Sequence, residues 1–260
     1  MDDALRNGLW NAATVALWDK LKSRPYRNNE TVGDFFFNLL WLWHYRQPVD
    51  EIPYSNDERV KELRQRYFKW NWYEVYDFIE FAAQRFPEGS SLFMENCNVV
   101  LEKELSAYRF SGKDLIPITS DQELAAIEES RTLSDIFSPV RLHIQTAVDL
   151  FSDRTAPDYR NSIKESISAV EAICNIITGS SATTLGQALK ELEKKGIVLH
   201  AALKSSFSSL YGYTSDAQGI RHALMDDPTL DFDDAKFMLV SCSGFVNYLA
   251  AKSRTKVSSS

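Results

Sequence analysis

Along the first half of the chain, apolar residues return every three to four positions, the period of a helix with one buried face. Leu5, Leu9, Ala13, Val15/Ala16 and Leu17 predict a helix over 3–22. Segment 31–46 opens at Thr31 and is apolar nearly all round, which predicts a central helix of its module. Segment 57–68 is charged and amphipathic. Segment 71–86 carries Trp72, Val75, Phe78, Ile79 and Ala82/Ala83 at helical spacing and stops before Pro87, and 91–107 follows a Gly-Ser-Ser start. Two short β-type runs then flank a Gly-containing turn in YRFSGKDLIPIT (108–119), which predicts a small hairpin. Ser120 and Glu123 have the spacing of a capping box and open a helix over 120–131.

The second half keeps the helical period with different residues. Pro139 sits in the first turn of a helix over 139–151, where its missing N–H costs little. Tyr159, Ile163, Ile167, Val170, Cys174 and Ile177 line one face of a helix over 158–178 that stops at Gly179. Further helices are expected over 184–195, stopping at Gly196, and over 200–210, followed by a loop from Gly212 to Gly219. The last helix spans about 231–251. Asp231, Asp233 and Asp234 favour its positive end, and Ala235, Met238/Leu239, Cys242, Phe245/Val246 and Leu249 form its core stripe. The polar tail KSRTKVSSS is expected to fray. All six Trp fall in the first 72 residues, which points to two modules with separate cores. Thr132 to Ser138 is the expected boundary, giving modules 1–131 and 137–255. The fold class is therefore all-α: two helical modules with a short β-hairpin near 108–119.

Composition narrows the function classes. A chain of 260 residues that is 44% hydrophobic and 25% charged is not disordered as a whole. With only 10 Gly and 8 Pro it does not read as a loop-rich β-sandwich. A net charge of −7 excludes a uniformly basic nucleic-acid binder but not a local basic site. Cys97, Cys174 and Cys242 lie far apart in apolar, helical surroundings, so buried thiols in a reducing compartment are expected rather than a zinc site. The start MDDALRNGLWN lacks the layout of a signal peptide, and the apolar run 35–43 is too short to span a bilayer. A cytoplasmic protein without membrane contact is expected.

No phosphate-binding GxxxxGK[ST], dinucleotide GxGxxG, HExxH or GxSxG occurs. No two of the four histidines are spaced as metal ligands on a helix, so neither metal nor cofactor is expected. The segment Tyr211-Gly-Tyr-Thr-Ser-Asp-Ala-Gln-Gly-Ile-Arg-His222 stands out, with two glycines framing a polar loop that runs into Arg221 and His222. A guanidinium suits a phosphate and an imidazole moves protons near neutral pH, the two abilities a metal-independent ribonuclease needs. The plainer reading, favoured by these residues alone, is a helix N-terminal turn with an exposed Arg and a structural His. Arg160, Lys164 and Glu171 fall at steps of four and seven on one helix face, lining either a phosphate-binding cleft or a solvated surface. Arg59, Lys61, Arg64, Arg66 and Lys69, beside Tyr67, Phe68 and Trp70, make the best basic-aromatic patch, with Glu58 and Glu62 interleaved.

Several phrases resemble a known family. LRNGLWN (5–11), WYEVYDFIEF (72–81) and YRFSGKDLIPITSDQELAAIEE (108–129) resemble the N-terminal domain of AbiJ-type abortive-infection proteins. DYRNSIKESISAVEAICNIITG (158–179), TLGQALKELEKKG (184–196) and LYGYTSDAQGIRHAL (210–224) resemble the HEPN domain that accompanies it. The resemblance implies a bundle of four or five helices, metal-independent RNase activity, homodimers that join two motifs in one cleft, and a role in phage defence with a partner protein from the same system. In catalytic HEPN domains an Arg, commonly followed by a polar residue, precedes the His with four to six further residues between. Aligned on His222, that position falls at Ser215 or Asp216. Either Arg221 takes over the phosphate role, or the domain is an inactive dimerisation or nucleotide-binding scaffold. Arg221 and His222 are the catalytic candidates; Arg160, Lys164, Glu171, Ser215 and Asp216 are the substrate-side candidates, with Glu171 and Asp216 placed to orient His222 or bind Arg221.

Overall fold

The computed structural model describes residues 1–22, 25–27, 30–87, 89–179, 185–215 and 230–257. The fold is all-α, with two small two-stranded antiparallel sheets among the described residues. It divides into two compact units, Met1–Thr119 and Ser120–Ser260. The sequence boundary was expected at 132–138. In the structure the helix over Asp121–Arg131 packs within the second unit.

In the first unit, α1 (Asp3–Ala16) starts where Asp2 accepts a hydrogen bond from the Leu5 amide at 2.9 Å. Leu5, Leu9, Ala12, Ala13 and Ala16 are its buried stripe, and a 3₁₀ turn (Trp18–Lys22) ends the expected helix early. Strands β1 (Pro25–Arg27) and β2 (Glu30–Thr31) lead into α2 (Val32–Leu39), which Thr31 and Asp34 cap reciprocally. The expected single helix over 31–46 does not stay α-helical. At Leu40 it widens into a π-helix (Leu40–Tyr45), ended by Arg46 in the left-handed region at φ 53°. Nor is it buried all round, since Leu42 and Trp43 face solvent. Helix α3 (Asn56–Tyr67) has a second reciprocal cap, Ser55 with Glu58. Helix α4 (Trp72–Arg85) follows Asn71, whose amide donates to Glu74 at 2.7 Å. Helix α5 (Ser90–Lys103) starts after Gly89 at φ 82°. Strands β3 (Arg109–Ser111) and β4 (Asp114–Ile116) pair in register as the expected hairpin. The core gathers Leu9, Phe36, Phe37, Trp41, Tyr67, Phe78 and Phe93. Trp10, Trp18 and Trp41 are buried, whereas Trp43 and Trp72 are exposed.

The second unit is a helical bundle. Helix α6 (Asp121–Arg131) begins at Ser120, which accepts from the Glu123 amide, but the Glu123 carboxylate pairs with Lys236 at 2.8 Å. Helix α7 (Ser138–Ser152), with Pro139 in its first turn, packs along α8 (Tyr159–Thr178). Small residues let them approach: Ser162 is fully buried and donates to the Ala147 carbonyl at 2.8 Å. Gly179 ends α8 at φ 68°. Helices α9 (Leu185–Lys194) and α10 (Ala201–Ser215) follow, and then α11 (Phe232–Val257). The expected loop from Gly212 is helical as far as Ser215, and the expected frayed tail is helical to Val257. The predicted stripe of α11 is buried in full, and that of α8 except Tyr159 and Ile177, which are half-buried. All three cysteines are free and buried; burial pushes the Cys242 thiol up to about 12.

Candidate functional site

Asp216, Arg221 and His222 lie outside the described residues, in the stretch joining α10 to α11. Ser215 is the last residue of α10. Arg160, Lys164 and Glu171 all lie on α8; Lys164 is exposed, while Arg160 and Glu171 are half-buried. One carboxylate oxygen of Glu171 is shielded from solvent, and its charge adds to burial in pushing the Cys174 thiol up to about 12.

On the same bundle, α7 and α8 bring together a pair that sequence reasoning missed. His143 Nδ1 meets Glu165 Oε2 at 2.6 Å, and both side chains are partly exposed. A carboxylate that fixes one ring nitrogen orients the imidazole for proton transfer through the other. The two residues are 22 positions apart on different helices, so no local spacing announces them.

The first unit holds a better-formed site. A cleft of about 470 Å³ opens beside the π-helix. Trp43, His44, Tyr45 and Arg46 supply one wall, Arg66 and Trp70 another, and Glu74 and Asp77 of α4 the third. In an α-helix neighbouring side chains diverge by about 100°, and widening the turn helps a run of four to line one cleft. Burial drives the His44 pKa down to about 4, with Glu74 pulling it part of the way back, so the imidazole is neutral at pH 7. Its ring lies 5.7 Å from Trp70 and 5.2 Å from Phe81. Burial raises the Tyr45 phenol well above its usual range. The Tyr45 hydroxyl is shielded from solvent and has no hydrogen-bond partner among the described residues.

Arg66 connects this cleft to the basic patch read from the sequence. It pairs with Glu62 at 2.6 Å, donates to Gln47 at 2.9 Å, and sits 4.5 Å over the Tyr45 ring. The patch is not one continuous strip. Arg59 turns inward to Asp34 at 2.7 Å and to the Pro53 carbonyl at 2.6 Å. Arg64 covers the Phe68 ring at 4.7 Å, and Tyr67 is buried with its hydroxyl donating to the Arg6 carbonyl. Lys61 and Lys69 remain at the surface, lining a second groove of about 590 Å³ that also includes Arg66.

Among the described residues, no group of three or more His, Cys, Asp or Glu could hold a metal ion, and no helix is long and apolar enough to cross a membrane. The family model for AbiJ N-terminal domain 4 matches residues 1–133. No curated protein and no solved structure matches the chain. With half of its length covered by that model, the chain belongs to the AbiJ N-terminal domain 4 family and is an abortive-infection-related protein.

Proposed function

We propose that this protein is an antiviral abortive-infection effector whose second unit is HEPN-like and cleaves RNA without a metal. The observation that carries the reading is the segment Gly219-Ile-Arg-His222, set between α10 and α11 of a helical bundle that follows an AbiJ N-terminal domain. The reaction is a transesterification. The ribose 2′-hydroxyl loses its proton and attacks the adjacent phosphorus, with His222 as the general base that takes this proton or the general acid that protonates the leaving oxygen. The bond to the 5′-oxygen breaks, and that oxygen takes a proton, leaving a 2′,3′-cyclic phosphate and a 5′-hydroxyl. Arg221 holds the charge that grows on the phosphoryl oxygens. Arg160, Lys164, Glu171, Ser215 and Asp216 are the residues proposed to hold substrate or orient these two groups. Arg221 and His222 are adjacent in the chain, and two routes bring them to one phosphate: pairing of two copies across a two-fold axis, or a helix start where the backbone is not yet helical, since neighbours within a helix point about 100° apart. The proposed setting is the cytoplasm, with RNA as substrate and a protein of the same defence system as partner.

Incubation of RNA with the full chain in EDTA tests this. Cleavage leaving cyclic phosphate ends is expected, falling by about 10²-fold or more in His222→Ala and in Arg221→Ala. Equal cleavage by wild type and His222→Ala overturns it, as does no cleavage by a preparation that is toxic in cells. A second reading has one observation in its favour. Ser215 or Asp216 stands where the resemblance expects Arg, as in a non-catalytic dimerisation or nucleotide-binding scaffold. Toxicity that survives alanine at both Arg221 and His222 supports that reading.

A further inference from the structure

We propose that the cleft beside the π-helix of the first unit is a nucleotide-binding site, a proposal independent of RNA cleavage by the second unit. Three separate costs coincide there. The chain abandons α-helical geometry over Leu40–Tyr45, and π-turns inside helices concentrate at functional sites. Arg46 takes a left-handed backbone that a side chain disfavours. A shielded Tyr45 hydroxyl goes without a hydrogen bond among the described residues. The core does not require the residues that flank these costs, since Trp43 is 66% exposed and Arg46 lies at the surface.

The lining selects the ligand. A cleft of about 470 Å³ suits one small molecule. Trp43 offers an indole face that stacks on a flat heterocycle. Glu74 and Asp77 accept hydrogen bonds from N–H groups, as carboxylates do from the exocyclic amines of bases. One oxygen of Glu74 is held by the Asn71 amide, which fixes the carboxylate in place. Arg46 offers the guanidinium for a phosphate, whereas Arg66 is committed to Glu62 and Gln47 and serves as wall. Because carboxylates repel phosphate, the base lies toward Glu74 and Asp77 and the phosphate at Arg46. Bases bearing an exocyclic amine, namely adenine, guanine and cytosine, are favoured over uracil.

Calorimetry on the full chain tests the assignment with AMP, GMP, CMP, UMP, adenosine and choline as probes. Binding of the three amine-bearing nucleotides is expected, with adenosine about tenfold weaker for want of the phosphate. Trp43→Ala and Arg46→Gly are each expected to weaken AMP by about tenfold or more. Arg46→Gly is the discriminating variant, because glycine accepts the left-handed backbone. Its melting temperature should hold or rise while binding falls, which separates lost recognition from lost folding. A 2′-O-methyl tetranucleotide, which resists transesterification, distinguishes the sources. Tighter binding than AMP, lost in the same variants, assigns the site to one base of a strand, and weaker binding assigns it to the free nucleotide. No binding of any nucleotide at millimolar concentration, unchanged affinity in both variants, or choline binding more tightly than AMP overturns the proposal.

Discussion

His44 is neutral because the protein around it excludes water, and this makes the first unit acid-sensitive. Its folded pKa of about 4 lies below its ordinary 6.5, so between those values the unfolded chain takes up a proton that the folded one refuses. Stability is therefore full above about 6.5 and falls as the pH drops toward 4, by at most about 3 kcal/mol. Tryptophan fluorescence reads this in the first unit alone, because every Trp precedes residue 73. Denaturant unfolding of wild type on either side of the window should show the loss, and His44→Gln should abolish most of it. Arg59 makes a second residue-scale case. Its guanidinium satisfies the Pro53 carbonyl, Asp34 and Asn56 while only 12% exposed. Burial pushes the Asp34 pKa up, but the hydrogen bonds from Arg59 and Thr31 outweigh it and hold the carboxyl below its usual value. Arg59→Ala should cost about 2 kcal/mol of stability by the same fluorescence assay.

At the scale of elements, close approach matters as much as capping. A methyl group at Gly8 of α1 would stand 2.5 Å from Val100 Cγ1 of α5. Alanine is the better helix former by about 1 kcal/mol, yet overpacking costs about 1–3 kcal/mol. Gly8→Ala should therefore destabilise the first unit, and adding Val100→Ala should restore most of the loss in a double-mutant cycle. Thr31→Ala removes the acceptor for the Asp34 amide at 3.1 Å and should cost about 1 kcal/mol. Both caps flanking the π-helix region, Thr31 with Asp34 and Ser55 with Glu58, join residues three apart, and such pairs can be read from sequence. Ser120 with Glu123 has the same spacing, but its carboxylate goes to Lys236, 113 positions away. Local spacing proposes a cap; a competing partner from α11 decides whether it closes.

For the whole molecule, the two units divide the proposed chemistry: a nucleotide cleft in the first and phosphodiester cleavage in the second. Growth arrest in cells expressing the protein is expected to disappear in His222→Ala at unchanged protein level, and colony counts with immunoblotting check it. Trp43→Ala should leave RNA cleavage by the purified chain within about threefold of wild type, a change of about 0.7 kcal/mol in barrier. The net charge of −7 points to neither of the proposed sites, because what recognises a ligand is the local set of groups and not their sum.

Periodicity, caps and stop residues were enough to place the starts of most helices, the β3–β4 hairpin and the three buried cysteines, because each depends on neighbours along the chain, while the ends of α1, α10 and α11 fell five or six residues from where they were expected. They were also enough to mark most of the buried faces of α8 and α11. They could not sort the aromatics of 31–46 into a buried Trp41 and an exposed Trp43, since both faces of that segment are apolar and the packing around it decides which one is covered. Nor could they foretell that Arg59 turns inward while Lys61 and Lys69 stay at the surface, or that His143 meets Glu165. Those outcomes are settled by which helix packs beside which, and contacts between residues distant in the chain leave no period in the sequence.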